Sequence, residues 1–249
     1  MRYFLELSYH GGNYHGWQKQ PNAMSVQEVL EKALTTILRV PTPITGAGRT
    51  DAGVHAEQMY AHFDADAFES TDDFTHQLNR LLPWDIAIQK IHPVTADAHA
   101  RYDALERTYV YEIMQRKDVF SHGLRYFYKP ALSISSMNDA AEILMDYEDF
   151  ECFSKVNTDV KTFLCEIAHA KWEETSFGYC FTISANRFLR NMVRAIVGTL
   201  IEVGQGKRSV HDVRKLIESK DRSQAGFSAP AHGLYLADIE YPKTIFHNG

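Results

Sequence analysis

Arg2 to Tyr9 alternates strictly, Tyr3, Leu5, Leu7 and Tyr9 facing one way and Phe4, Glu6 and Ser8 the other. Such a period-two run is a strand. Gly11-Gly12 ends it, and a helix-period run follows: Val26, Val29, Leu30, Ala33, Leu34, Ile37 and Leu38, opened by the Ser25/Glu28 capping box and closed before Pro41. A short strand at 42–45, a strand at 58–63, a helix at 72–82 halted by Pro83, and strands at 86–91 and 107–114 continue the series. A second half uses the same grammar, with a helix at 136–146, strands at 162–174 and 179–185, helices at 188–203 and 210–219, and a last strand at 234–239.

These segments lack the long crossovers of a doubly wound parallel sheet. They predict an α+β fold of two similar halves, each an open, mostly antiparallel sheet with helices on one face, packed around a central positively charged cleft. The division falls at 105/106, giving residues 1–105 and 106–249. A chain of 249 residues can bury a core in each.

The stretch Gly46-Ala47-Gly48-Arg49-Thr50-Asp51-Ala52-Gly53-Val54-His55-Ala56 surrounds one carboxylate with groups too small to cover it. Three glycines let the backbone turn sharply and let a large ligand come close. Asp51 is therefore the candidate for chemistry, and Arg49, two residues away, can reach the same side of an extended loop. On its pattern alone, an aspartate among glycines is more commonly a turn or a cap, and that reading applies to Asp51 as well.

Net charge is −6, against a polyanionic partner at first sight. Its distribution points the other way: Arg187, Arg190, Arg194, Lys207, Arg208, Arg214 and Lys215 share 187–215 with only Glu202 and Asp212. A polyanion responds to the local field, although a plain solvated face would carry the same charges. If the helix begins near Phe188, Arg187, Arg190, Asn191, Arg194 and Gly198 share one side, and paired guanidinium hydrogen bonds suit phosphates or a carboxylate. Gly198 costs such a helix about 1 kcal/mol relative to Ala, which a close approach by a backbone or ligand would explain. On the strand from Arg107, Tyr109 and Tyr111 point the same way and offer an aromatic face for an unpaired base, or two core tyrosines.

His10, His15, His55 and His62 have no ligand spacing, so no metal is expected. Cys152, Cys165 and Cys180 form no CxxC pair and read as free thiols. No membrane-spanning run or signal-peptide pattern is present, which leads to the expectation of a cytoplasmic protein without a membrane partner.

The Asp51 string resembles the catalytic loop of the TruA family of tRNA pseudouridine synthases. The likeness extends through Tyr9-His10-Gly11-Gly12, Gly16 to Gln20, Ser25 to Glu28, Asn79 to Ile86, His99-Ala100-Arg101, Arg107-Thr108-Tyr109, Asp149-Phe150, Asn186 to Gly198, Lys220-Asp221-Arg222 and Gly233-Leu234-Tyr235, in the family's order. The resemblance implies Asp51 as nucleophile or base at the ribose, Tyr109 against the target base, Arg194 as the ion-pair partner of Asp51, and Arg49 holding the nucleotide outside the helix. It also implies the tRNA anticodon stem-loop as substrate, at positions 38, 39 and 40, a homodimer, and no cofactor. Three positions depart from the family pattern: His10 in place of Asp, Asp146 in place of Gly, and Lys161 in place of Arg. Two other classes compete on the residues alone. A non-catalytic RNA-binding module would place no demand on Asp51, and a glycoside hydrolase needs a second carboxylate that the loop lacks.

Overall fold

The computed structural model describes residues 1–155 and 161–247. In chain order the elements are β1 (Arg2–Tyr9), α1 (Val26–Leu38), β2 (Thr45–Gly46), β3 (His55–Asp64), α2 (Thr71–Leu81), β4 (Ile86–Val94), β5 (Glu106–Met114) and β6 (Tyr126–Phe127). There follow α3 (Ile134–Glu142), β7 (Ile167–Glu174), β8 (Gly178–Ala185), α4 (Met192–Gly204), α5 (Val210–Ser219) and β9 (Leu234–Glu240). The class is mixed α+β with mostly antiparallel pairing, β6 running parallel to β5. Two compact units emerge: Met1–Leu105 with Leu236–Gly249, and Glu106–Tyr235. The last segment thus groups with the first unit, whereas the sequence division left it in the second half.

In the first unit the strand order is β4-β1-β3-β9. β1 pairs antiparallel with both neighbours, Leu5 lying opposite Ala61 on one side and Ile91 on the other. Tyr3, Phe4, Leu5, Leu7 and Tyr9 are all buried, so both faces of the strand are covered despite its alternating pattern. α1 starts where the Ser25 hydroxyl accepts from the Glu28 N–H, and buries Val26, Leu30, Ala33 and Leu34. The Glu28 carboxylate meets Lys32 at 2.7 Å. Ser70 caps α2 in the same way, accepting from Asp73. That helix stops as Leu82 turns extended before Pro83, the conformation a following proline favours. The Asn79 side chain both donates to the Ile88 carbonyl and accepts from its N–H, each at 2.8 Å, fixing α2 to β4.

In the second unit β8 lies between β5 and β7, antiparallel to each. Trp172 of β7 stacks on Phe181 of β8, centroids 4.8 Å apart, both fully buried. The β7–β8 turn ends at Gly178 with φ 151°, where a Cβ would lie 2.4 Å from the Ile113 carbonyl oxygen. α3 begins earlier than its apolar pattern suggests, because Ser133 caps it by accepting from Ser136, and it tightens into a 3-10 turn over Ile143–Asp146. α5 opens with a reciprocal Ser209/Asp212 capping box.

The expected helix at 188–203 is corrected. α4 begins at Met192, because Asn191 takes the left-handed conformation at φ 66° and breaks the run. Arg187 and Arg190 therefore precede the helix instead of sharing a face with Arg194. Within α4, Gly198 does meet another backbone: a Cβ there would lie 1.8 Å from the Phe227 carbonyl oxygen.

Candidate active site

β2 and β3 form an antiparallel pair, Thr45 opposite His62 and Gly46 opposite Ala61, and the segment between them carries Asp51. The Ala47 N–H extends the ladder to the Tyr60 carbonyl. Beyond it, an Asp51–Val54 turn closes through the Val54 N–H and the Asp51 carbonyl, with Gly53 at φ 78°. That third turn position needs positive φ in a type II turn, which explains the glycine.

A second loop, residues 10–17, holds this one from behind. Its Trp17 N–H donates to the Thr50 carbonyl at 3.2 Å, and the Gly53 N–H donates to the Tyr14 carbonyl at 3.3 Å. Gly16 sits so close that a Cβ would lie 2.5 Å from the Thr50 oxygen. Thr50 is also tied through its hydroxyl to the buried Tyr9 phenol, 2.8 Å away. Gly11 donates to His55 Nδ1 at 3.0 Å. The residues flanking Asp51 are thus fixed by backbone and buried groups, while Asp51 is half-buried and Arg49 and Ala52 are exposed. Beside them, a Cβ on Gly48 would meet no atom within 4 Å, leaving room for a ligand.

The second loop is itself braced from the turn that leads into β4. Asp85 accepts from the Tyr14 phenol at 2.5 Å and from Asn13 Nδ2 at 2.9 Å. Burial, and then the Asp85 carboxylate, raise the Tyr14 phenol above its usual range, so it stays a donor. The sequence gives no sign of this bracing: Asp85 is 71 residues from Tyr14, and nothing in the local pattern links them. His10, the departure from Asp, still caps the turn, its Nδ1 accepting from the Gly12 N–H.

In the second unit, Tyr109 on β5 is opposite Ile183 of β8, is half-exposed, and meets the Phe188 ring edge-on at 5.1 Å. Tyr111, on the same side of β5, is buried core whose phenol donates to the Pro230 carbonyl. The aromatic face is thereby reduced to Tyr109. Arg194 lies in the first turn of α4, half-buried, its Nε donating to the Ala229 carbonyl at 2.6 Å while the Ala229 N–H returns a bond to the Arg194 carbonyl. Arg222 braces the same loop through the Gly226 carbonyl and the Ser228 hydroxyl, which also accepts from Asn191. Arg187 donates to the Thr162 carbonyl at 3.4 Å, and Arg190 is exposed.

The basic run is partly neutralised within its own unit. Arg208 pairs with Glu202, Arg214 with Asp146, and Lys215 with Asp212. Asp146, another departure, is thus spent on a surface ion pair; Lys161 is exposed. Among the described residues no group of His, Cys, Asp and Glu could hold a metal ion, and no helix is long and apolar enough to cross a membrane.

Comparison with known proteins gives a consistent result. The model of a family described as tRNA pseudouridine synthase matches residues 7–103 and 140–242. The tRNA pseudouridine synthase A of Parabacteroides distasonis is 53% identical over 248 residues, 98% of each chain. That of Bacteroides fragilis is 54% identical over 247 residues, again 98% of each. The Staphylococcus aureus protein of the same name is 39% identical over 241 residues, 96% of this chain and 91% of its own.

Proposed function

The chain belongs to the tRNA pseudouridine synthase family, and from that premise we propose that it isomerises uridine to pseudouridine at positions 38, 39 and 40 of the tRNA anticodon stem-loop. The observation that carries the proposal is the Asp51 loop: one carboxylate presented by small residues, with Thr50 and Gly53 on either side of it held by the backbone of a second loop.

The reaction breaks the C1′–N1 bond, turns the uracil and joins C5 to C1′. The C5 proton leaves and N1 gains one, so substrate and product have the same atoms and no redox or energy input enters. One carboxylate suffices, either adding to C1′ or removing the C2′ proton. Deuterium at C2′ slows the second route in its own step and spares the first.

On this reading Asp51 is the nucleophile or base at the ribose, Tyr109 is the residue assigned to the target base, and Arg194 is the residue assigned to the carboxylate. Arg194 is steadied through Nε by the Ala229 carbonyl, which supports its assignment as a positioned guanidinium. Tyr109 packs on the uracil and assists loss of the C5 proton. Arg49 keeps the nucleotide outside the stem, and Arg187 and Arg190 bind phosphates. A stem base must first swing out, which costs a few kcal/mol, offset by stacking and phosphate contacts. The active species is a homodimer.

The test is incubation of purified protein with unmodified tRNA, then carbodiimide labelling and primer extension. Pseudouridine is expected in the anticodon arm without added cofactor. Asp51→Asn should lower turnover by roughly 100-fold or more, with tRNA affinity retained within a few-fold. An active Asp51→Asn protein, or modification confined to other arms, overturns the proposal.

A further inference from the structure

Trp84 is fully exposed, at 106% of its reference accessibility, whereas Trp17 and Trp172 are at 2% and 1%. Tryptophan is among the more buried residues on average, so an indole standing clear of the protein calls for a reason. Its backbone is not loose. Trp84 occupies the tip of a turn closed by the Ile86 N–H on the Pro83 carbonyl at 3.0 Å, and Leu82 and Ile86 on either side are buried.

The same turn is fastened to the loop that holds Asp51. Asp85, next to Trp84, receives the Tyr14 phenol and Asn13 amide through its carboxylate, and the His10 N–H through its carbonyl at 2.9 Å. Tyr14 in turn receives the Gly53 N–H. A short series of hydrogen bonds therefore joins the turn that carries the exposed indole to the turn that begins at Asp51.

The geometry points to Trp84 as a substrate-contacting residue that stacks on an unpaired base of the tRNA, an inference that rests on the function proposed above. Its neighbourhood favours a nucleic acid over a protein partner. Arg80, in the last turn of α2, is exposed and basic. Leu81 and Pro83 are the other exposed apolar residues of the 79–86 segment, few beside the roughly 20–30 residues a side of a standard protein interface. A flat ring on a stiff turn loses little freedom on stacking, and every base has a face to offer it.

The buried state of the other two tryptophans makes the test direct, because only Trp84 reports solvent. Asp51→Asn protein, which holds tRNA without turning it over, is titrated with unmodified tRNA while tryptophan emission is followed. Emission should be quenched on binding, and the quench should vanish in the Trp84→Phe background. Trp84→Ala should weaken tRNA binding roughly 5- to 150-fold, the range for losing one stacked base. Trp84→Phe should restore most of that affinity, and in the protein with Asp51 intact the Trp84→Ala loss should fall on KM more than on kcat. Unchanged melting temperatures would exclude misfolding as the cause. No quench together with unchanged affinity of Trp84→Ala overturns the inference. So does a blue shift that grows with protein concentration without tRNA, which would assign the indole to a contact between copies. Pseudouridine formation by the wild-type protein is measured in parallel. Its complete absence overturns the functional reading along with this one, whereas normal formation with a silent Trp84 overturns this one alone.

Discussion

Replacing Gly198 by Ala sets two principles against each other. Helix propensity alone predicts a gain of about 1 kcal/mol at an α4 interior position. The structure predicts a loss, because the new methyl carbon would lie 1.8 Å from the Phe227 carbonyl oxygen and 2.9 Å from its carbon. The obstacle is backbone, which cannot rotate aside like a side chain, so the upper part of the 1–3 kcal/mol range for overpacking applies. Subtracting the propensity gain from about 3 kcal/mol leaves a net loss of about 2 kcal/mol. For a chain of this size that lowers the melting temperature by about 4–8 °C. The displaced loop also carries Ala229, whose carbonyl holds Arg194 at 2.6 Å, so pseudouridine formation should fall by more than the fraction unfolded explains. Calorimetry and a tRNA modification assay at a temperature well below the transition separate the two effects. A Gly198→Ala protein that melts at or above the wild-type temperature would refute the reasoning.

Gly48→Ala is the counterpart: nothing lies within 4 Å of the added carbon, so stability should stay within about 0.5 kcal/mol, while a ligand packed there should make turnover drop at least several-fold. Equal turnover would mean that substrate keeps clear of Gly48. The His62 imidazole is pushed down to about 4, first by burial and then by His99. Its folded value lies below the unfolded one near 6.5, so the unfolded chain binds the extra proton, and stability present above pH 6.5 is lost as pH falls toward 4. The loss attributable to this group is on the order of 3 kcal/mol. His62→Asn, whose side chain can still accept from the Ala100 N–H, should flatten that part of the pH profile in thermal melts; an identical profile would count against it. Burial raises the Cys152 thiol to about 12 and the Cys165 thiol to about 11, so both should react with a thiol reagent only as the protein unfolds. Fast labelling of either in the native state would contradict the packing around it.

Regular periodicity made β1, α1, α2, β5, β8 and α5 legible from the residues alone, since each carries its own cap, breaker or alternation. Failures share a physical cause. Phe188 and Leu189 fit the apolar stripe of α4, yet Asn191 turns left-handed ahead of it, and no propensity scale marks a local choice settled by its bond to Ser228. β3 begins at His55 because Ala56 pairs with Tyr9, a partner 47 positions away (56 − 9) that a local window does not see. At the candidate site the glycines of the Asp51 loop announced a sharp turn with open space, and the structure shows both. The supports did not announce themselves: Asp85 under Tyr14 and Ala229 against Arg194 are long-range bonds between residues of ordinary local character.

The fit of Gly16 against the Thr50 carbonyl leaves almost no slack in the segment bearing Asp51. On the proposed reading, an acid mounted so stiffly is a fixed post to which the target must come. If several neighbouring nucleotides are served by one such post, the accommodation has to come from the RNA: each target must be delivered to the same spot by sliding or flexing of its own helix. Supple anticodon arms would then be better customers than rigid ones, a preference written into the enzyme by a missing methyl group.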